Sequence, residues 1–113
     1  MPVDKSLLSG STAMLLLKLL SEKDMYGYEM IENLQKRSNQ VFDLKAGTLY
    51  PLLHSLEAKG CLNAYEQSAG GKVRKYYSIT KAGRRYLKDR ESEWKEYADA
   101  VSQVLGGVVY GTA

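Results

Sequence analysis

Leucines at positions 49, 52, 53 and 56 recur at i, i+3, i+4, i+7 spacing, and Gly60 follows them. Such a stripe is one face of an α-helix, and a glycine just past it supplies a left-handed stop. The spacing predicts a helix over Ala46–Lys59. Pro51 lies early in it and removes one backbone donor, at the cost of a partner for the nearby Gly47 carbonyl. The period then changes. Cys61–Gln67 and Val73–Ile79 are β-compatible runs, and SAGGK between them permits positive φ at a tip. A helix that halts at glycine and gives way at once to a hairpin narrows the possible folds sharply. Alternation sets Tyr77 and Ile79 on one hairpin face and Arg74 and Tyr76 on the other. The Tyr77–Ile79 face is expected to pack on the helices.

Upstream, a first helix is predicted over Ser11–Ser21, capped by Ser9 or Ser11. From Ala13 to Leu20 only Lys18 is polar. A helix apolar on nearly all sides needs cover on more than one, which points to a second subunit as well as the core. A second helix is predicted over Tyr26–Ser38, with Asp24 as its cap and Asn39 and Gln40 ending it. A long last helix is predicted over Lys81–Leu105, capped by Thr80, with Gly83 weakening its first turn. The order is helix, helix, helix, hairpin, long helix. This is a mainly α chain with a small β-hairpin, a winged helix-turn-helix over residues 1–80. A dimerisation helix over 81–105 and a flexible tail over 106–113 follow it.

Composition sets limits on function. The chain has 113 residues, a net charge of +3 and 44% apolar residues, a soluble globular balance. No stretch approaches the ~18–20 apolar residues that span a bilayer. No signal peptide is recognisable at the N-terminus, so a cytoplasmic location is expected. The lone Cys61 and lone His54 argue against a disulfide or a zinc site. Cys61 reads as a small buried hydrophobe, and His54 as an outward side chain able at most to meet a phosphate. No nucleophile motif, P-loop, HExxH or dinucleotide fingerprint is present, so neither enzymatic activity nor a cofactor is expected.

The basic residues are unevenly spread. Lys72, Arg74, Lys75, Lys81, Arg84, Arg85, Lys88 and Arg90 fall between Gly70 and Arg90, with Asp89 as the one acid there. Alone, such a stretch is a solvated surface. Beside a helix whose outward first turn is Lys45, Ala46, Gly47 and Thr48, it has a second meaning. Small residues there let a backbone approach closely. Thr48 and Tyr50 can donate to phosphates or base edges, Lys45 can neutralise a phosphate, and the free N–H groups favour an anion. A glycine tip carrying Lys72 and Arg74 can follow a minor groove or its phosphates. The same helix taken alone is an ordinary amphipathic one of little net charge. A winged-helix module that docks a protein therefore stays open.

On the last helix, Leu87, Trp94 and Val101 recur at seven residues, and Arg90, Tyr97 and Val104 fill the alternate seam positions. This imperfect heptad pattern reads as a dimerisation element. An indole in such a seam either is interface core or leaves an aromatic-lined cavity for a small hydrophobic or aromatic effector.

The strings YGYEMIENL at Tyr26–Leu34, GTLYPLLHSLEAKG at Gly47–Gly60 and GGKVRKYYSITKAG at Gly70–Gly83 resemble the PadR family of bacterial transcriptional regulators in content, order and spacing. The single C-terminal helix resembles the smaller subgroup of that family. The resemblance implies a homodimer on palindromic operator DNA, usually a repressor. It implies Tyr28, Thr48, Tyr50, Lys72 and Arg74 as DNA contacts, and Trp94 as the residue on which an aromatic effector stacks at the dimer centre.

Overall fold

The computed structural model describes residues 11–107. In chain order these form α1 (Thr12–Glu22), β1 (Met25–Tyr26), α2 (Gly27–Arg37), α3 (Ala46–Ala58), β2 (Leu62–Ala69), β3 (Lys72–Ile79) and α4 (Lys81–Val104). The fold is mainly helical, with the expected winged helix-turn-helix order. Ser9 and residues 108–113 of the expected tail lie outside the described residues.

α1 supplies a large share of the core. Leu16, Leu17, Leu19 and Leu20 are buried, covered by α2, α4 and β3. Its nearly all-round apolar surface is thus satisfied mostly within one chain, and Ala13, Met14 and Leu15 remain half-buried. The helix opens with the Ser11 carbonyl accepting from the Leu15 N–H at 3.0 Å. At its other end, Arg37 of α2 binds both carboxylate oxygens of Glu22, at 2.6 and 3.1 Å. That guanidinium holds the Glu22 carboxyl below the usual carboxylate range.

α3 keeps the predicted leucine face. Leu49, Leu53 and Leu56 are buried, and Leu52 packs against them half-buried. It ends as its glycine requires. Gly60 has φ +79°, the Cys61 N–H donates to the Leu56 carbonyl at 2.9 Å, and the Gly60 N–H donates to Glu57 at 3.0 Å. These paired bonds satisfy the last carbonyls of the helix. The α2 end is also left-handed, at Asn39 (φ 53°) and Gln40 (φ 67°).

The hairpin pairs Leu62 with Ile79 through to Ala69 with Lys72. Gly70 and Gly71 make the turn, at φ 58° and 80°. Positive φ at both central residues marks a type I′ turn, whose twist matches that of the flanking strands. Tyr77 is 1% exposed and anchors the sheet to the core, with Ile79 packed beside it. The Tyr77 hydroxyl finds no hydrogen-bond partner among the described residues, so this anchor works through its ring.

Two sequence expectations are corrected here. The sheet has a third strand: β1 adds to the free edge of β3, in the order β1-β3-β2, pairing Met25 with Tyr77 and Tyr26 with Tyr76. Tyr26 is therefore not a helical residue but the N-cap of α2. Its backbone N–H donates to the Glu29 carboxylate at 3.3 Å, the reciprocal half of a capping box. Asp24, expected as the cap, is instead drawn to the far strand, where it accepts from the Tyr65 hydroxyl at 2.6 Å.

α4 begins at a tight junction. The Thr80 hydroxyl accepts from the Gly83 N–H at 2.9 Å, as predicted for a cap, and donates to the Gly60 carbonyl at 2.6 Å. One side chain thus closes both the end of α3 and the start of α4. Gly83 is buried, and a Cβ there would collide with the Cys61 carbonyl and lie 2.8 Å from the Ile79 side chain. The glycine that reads as a weakness in a helix is a point of close backbone approach. Replacing Gly83 with Ala should destabilise the protein by roughly 1–3 kcal/mol, the cost of overpacking a filled site. That is opposite in sign to the ~1 kcal/mol that the same change gains in an open helix. Denaturant unfolding checks this, and a variant as stable as the wild type would refute the tight junction.

Candidate nucleic-acid interface

The first turn of α3 is bare. Lys45, Ala46, Gly47 and Thr48 are all exposed, while Leu49 turns into the core. Lys45 is the N-cap in an extended conformation, and no acidic residue stands in the first turn. The positive end of the helix dipole and its unsatisfied N–H groups are left for an external anion. A Cβ at Gly47 would meet nothing, so the surface here is open to a backbone or base edge. Lys45 pairs with Asp43 at 3.1 Å with both side chains largely exposed, a contact weak enough for a phosphate to replace.

Tyr50 continues this face one turn on and is 41% exposed. Its ring lies against the start of α2, where a Cβ on Gly27 would sit 2.5 Å from the Tyr50 hydroxyl. Gly27 is what lets the hydroxyl end of this ring come so close to the neighbouring helix. Tyr28, the next residue in the chain, points outward and is 61% exposed. The two predicted tyrosines therefore flank Gly27.

In the wing, Lys72 and Val73 are exposed beside the glycine turn. Arg74 is not free. Its guanidinium lies over the Tyr26 ring, 4.4 Å from the centroid. Tyr26 meets Tyr76 edge-on at 5.5 Å, and Tyr76 stacks on Tyr65 at 5.8 Å. These side chains line the sheet face opposite Tyr77. A continuous set of contacts thus leads from Arg74 through Tyr26 and Gly27 to Tyr50, tying the wing to α3. Lys45 and Thr48 belong to the same α3 face. Lys72 extends beyond the set at the tip.

Tyr26, Tyr65 and Tyr76 are the residues that sequence reasoning passed over. Alternation placed Tyr76 beside Arg74, but the partner that holds Arg74 comes from a strand too short to carry a period.

Trp94 lies elsewhere, on the distal half of α4. Its ring is 5.9 Å from that of Tyr97, and the two rings are 49% and 61% exposed. They border a groove of about 270 Å³ against α1, lined also by Ala13, Met14 and Tyr86. Arg90, an expected seam residue, is ion-paired with Glu93 at 2.9 Å on the rim of this groove. Tyr97, Val101, Val104 and Leu105 leave an exposed apolar row beyond it. Leu87 departs from the expected seam. It is 6% exposed and belongs to the core of its own chain, because α4 packs on α1 at that level.

A family model described as "Transcriptional regulator PadR-like family" matches residues 16–89, from within α1 to within α4. The chain belongs to the PadR family of transcriptional regulators. A PadR family transcriptional regulator from Eggerthella lenta superposes with a TM-score of 0.80 at 35% identity, over 91% of this chain and 88% of that one. A transcriptional regulator from Clostridium thermocellum gives a TM-score of 0.81 at 30% identity, over 88% and 97%. In sequence, the chain is 38% identical over 73 residues to the transcriptional regulator Rv3488 of Mycobacterium tuberculosis, covering 65% of each. As a PadR protein it is a DNA-binding regulator and not an enzyme. No helix of the described residues is long and apolar enough to cross a membrane.

The Tyr65–Asp24 contact predicts a pH signature. Donation to Asp24 is the main cause that pushes the Tyr65 phenol up from 10.0 to about 12. A folded-state value above the unfolded one means that the contact's contribution is fully present below pH 10. It is lost as the pH rises through about 12. Tyrosinate absorbance should show a late-titrating tyrosine that disappears in Tyr65→Phe and returns toward the ordinary range in Asp24→Asn. Ordinary titration of Tyr65 in the wild type would rule the contact out.

Proposed function

We propose that this PadR protein is a homodimeric, ligand-responsive repressor that acts in the cytoplasm on palindromic operator DNA. The observation that carries the reading is the bare, acid-free first turn of α3, joined through Gly27 and Tyr26 to a wing arginine. Lys45, Thr48 and Tyr50 would face the major groove, with Tyr28 beside them, while Lys72 and Arg74 grip the flanking backbone. In this reading the winged unit ends near residue 80, and α4 is the dimerisation element. Trp94, Tyr97, Val101 and Val104 are large apolar side chains that their own chain leaves exposed, and a second copy would cover them. A two-fold axis there sets the two α3 helices in successive major grooves, about 34 Å apart.

An aromatic or otherwise apolar effector would stack on Trp94 between the subunits. It regulates only if it binds one spacing of the reading heads better than the other. Trp94 is the chain's single tryptophan, so its fluorescence reports on this site. Hydrophobic aromatic compounds should quench it at micromolar levels, and a panel that leaves it unchanged would count against the effector site.

DNA binding should be strongly salt-dependent, because each neutralised phosphate releases counterions. Changing Lys72 and Arg74 together to Ala should weaken binding and lower the slope of log K against log salt by roughly one to two, at ~0.9 per phosphate contact. An unchanged slope would remove the wing from the interface.

A further inference from the structure

We propose that Tyr26 is the positioning residue of the wing: its ring holds the Arg74 guanidinium in the posture in which it meets DNA. The inference rests on the reading of Arg74 as a DNA contact and adds how that contact is prepared. The geometry is that of a cation over an aromatic face, with the guanidinium carbon 4.4 Å from the ring centroid, well inside the ~6 Å range of such contacts. Arg74 is half-buried, whereas Lys72, Val73 and Lys75 around it are exposed. No carboxylate pairs with Arg74 among the described residues.

That combination matters chemically. A carboxylate would occupy the in-plane N–H donors of the guanidinium and cancel its charge. A ring beneath its face does neither, so the donors and the charge stay available for a phosphate.

The ring is itself fixed on several sides. Tyr26 pairs through its backbone with Tyr76 and caps α2 through its N–H on Glu29. Its edge-on contact with Tyr76 is backed by the Tyr76–Tyr65 stack and by the 2.6 Å hydrogen bond from Tyr65 to Asp24. The next residue, Gly27, carries the Tyr50 ring of α3. The cation of the wing is thereby registered against the reading helix before DNA arrives, which reduces the ordering needed on binding.

Binding of the full-length protein to a mixed-sequence DNA duplex at low salt tests this, because a phosphate contact does not depend on sequence. Tyr26→Phe keeps the ring face and should bind as the wild type does. Tyr26→Leu keeps the backbone pairing and should bind about three- to tenfold more weakly, the range of a cation–π contact. In an Arg74→Ala background, Tyr26→Leu should add no further loss. The proposal falls if Tyr26→Leu binds normally, or if it costs the same with and without Arg74, which is the mark of a merely structural role. If Arg74→Ala alone leaves binding unchanged, the wing reading fails first, and with a different signature. NMR of the DNA-free wild type gives a check that needs no variant to fold: the Arg74 Nε–H should be shifted upfield by the ring. A signal at the position of a free arginine would overturn the proposal.

Discussion

The relative placement of the wing, α3 and α4 depends on one junction, where the left-handed Gly60 meets Thr80 and Gly83. The Thr80 hydroxyl bridges the Gly60 carbonyl and the Gly83 N–H. The Thr80 N–H donates to the Cys61 carbonyl at 3.0 Å, the same carbonyl that leaves no room for a side chain at Gly83. Three elements therefore leave a single point with little freedom between them: α3 ends there, β2 starts there and α4 starts there. Remove that constraint and the leucine face of α3 would still bury, but the direction of the hairpin and of α4 would no longer be set by it.

The wing is held a second time, at its opposite edge. β1 is only Met25–Tyr26, yet it joins the sheet, the start of α2 and, through Gly27, the Tyr50 ring of α3. Tyrosines do this well because they combine a large apolar face with a polar tip. The faces of Tyr26, Tyr76 and Tyr65 stack or meet edge-on, and the tip of Tyr65 reaches Asp24. A hairpin alone is marginal in water. Fixed at base and edge, this one can present its glycine tip and Arg74 at a defined distance from α3.

Much of this was legible in the sequence, and the reasons are local. The leucine period of α3, the stop at Gly60, the paired glycines at 70 and 71, the Thr80 cap and the inward Tyr77 each follow from a few neighbouring residues. What escaped depends on distant ones. β1 has no period of its own and exists because β3 offers it an edge. Asp24 suits a local cap, but a tyrosine far along the chain is the partner it finds. Gly83 carries no sign of the carbonyl packed against it. Leu87 fits a heptad, but periodicity identifies a face without saying whether the same chain or another covers it. The candidate site divides in the same way: its outward residues were readable from the helix face, and the platform beneath Arg74 was not.

Two surfaces of this PadR chain carry the proposed function: a candidate DNA-reading surface built on Tyr26–Gly27 and an apolar one on the distal half of α4. The most direct test is to select fragments of the native genome on the full-length protein and map the protected backbone of the retained fragments with hydroxyl radicals. The account predicts retention over competitor DNA. It also predicts two protected half-sites of inverted sequence on one side of the duplex, centred about one helical turn (~34 Å) apart. Failure to retain any fragment over competitor, or protection of a single unpaired site, would contradict it.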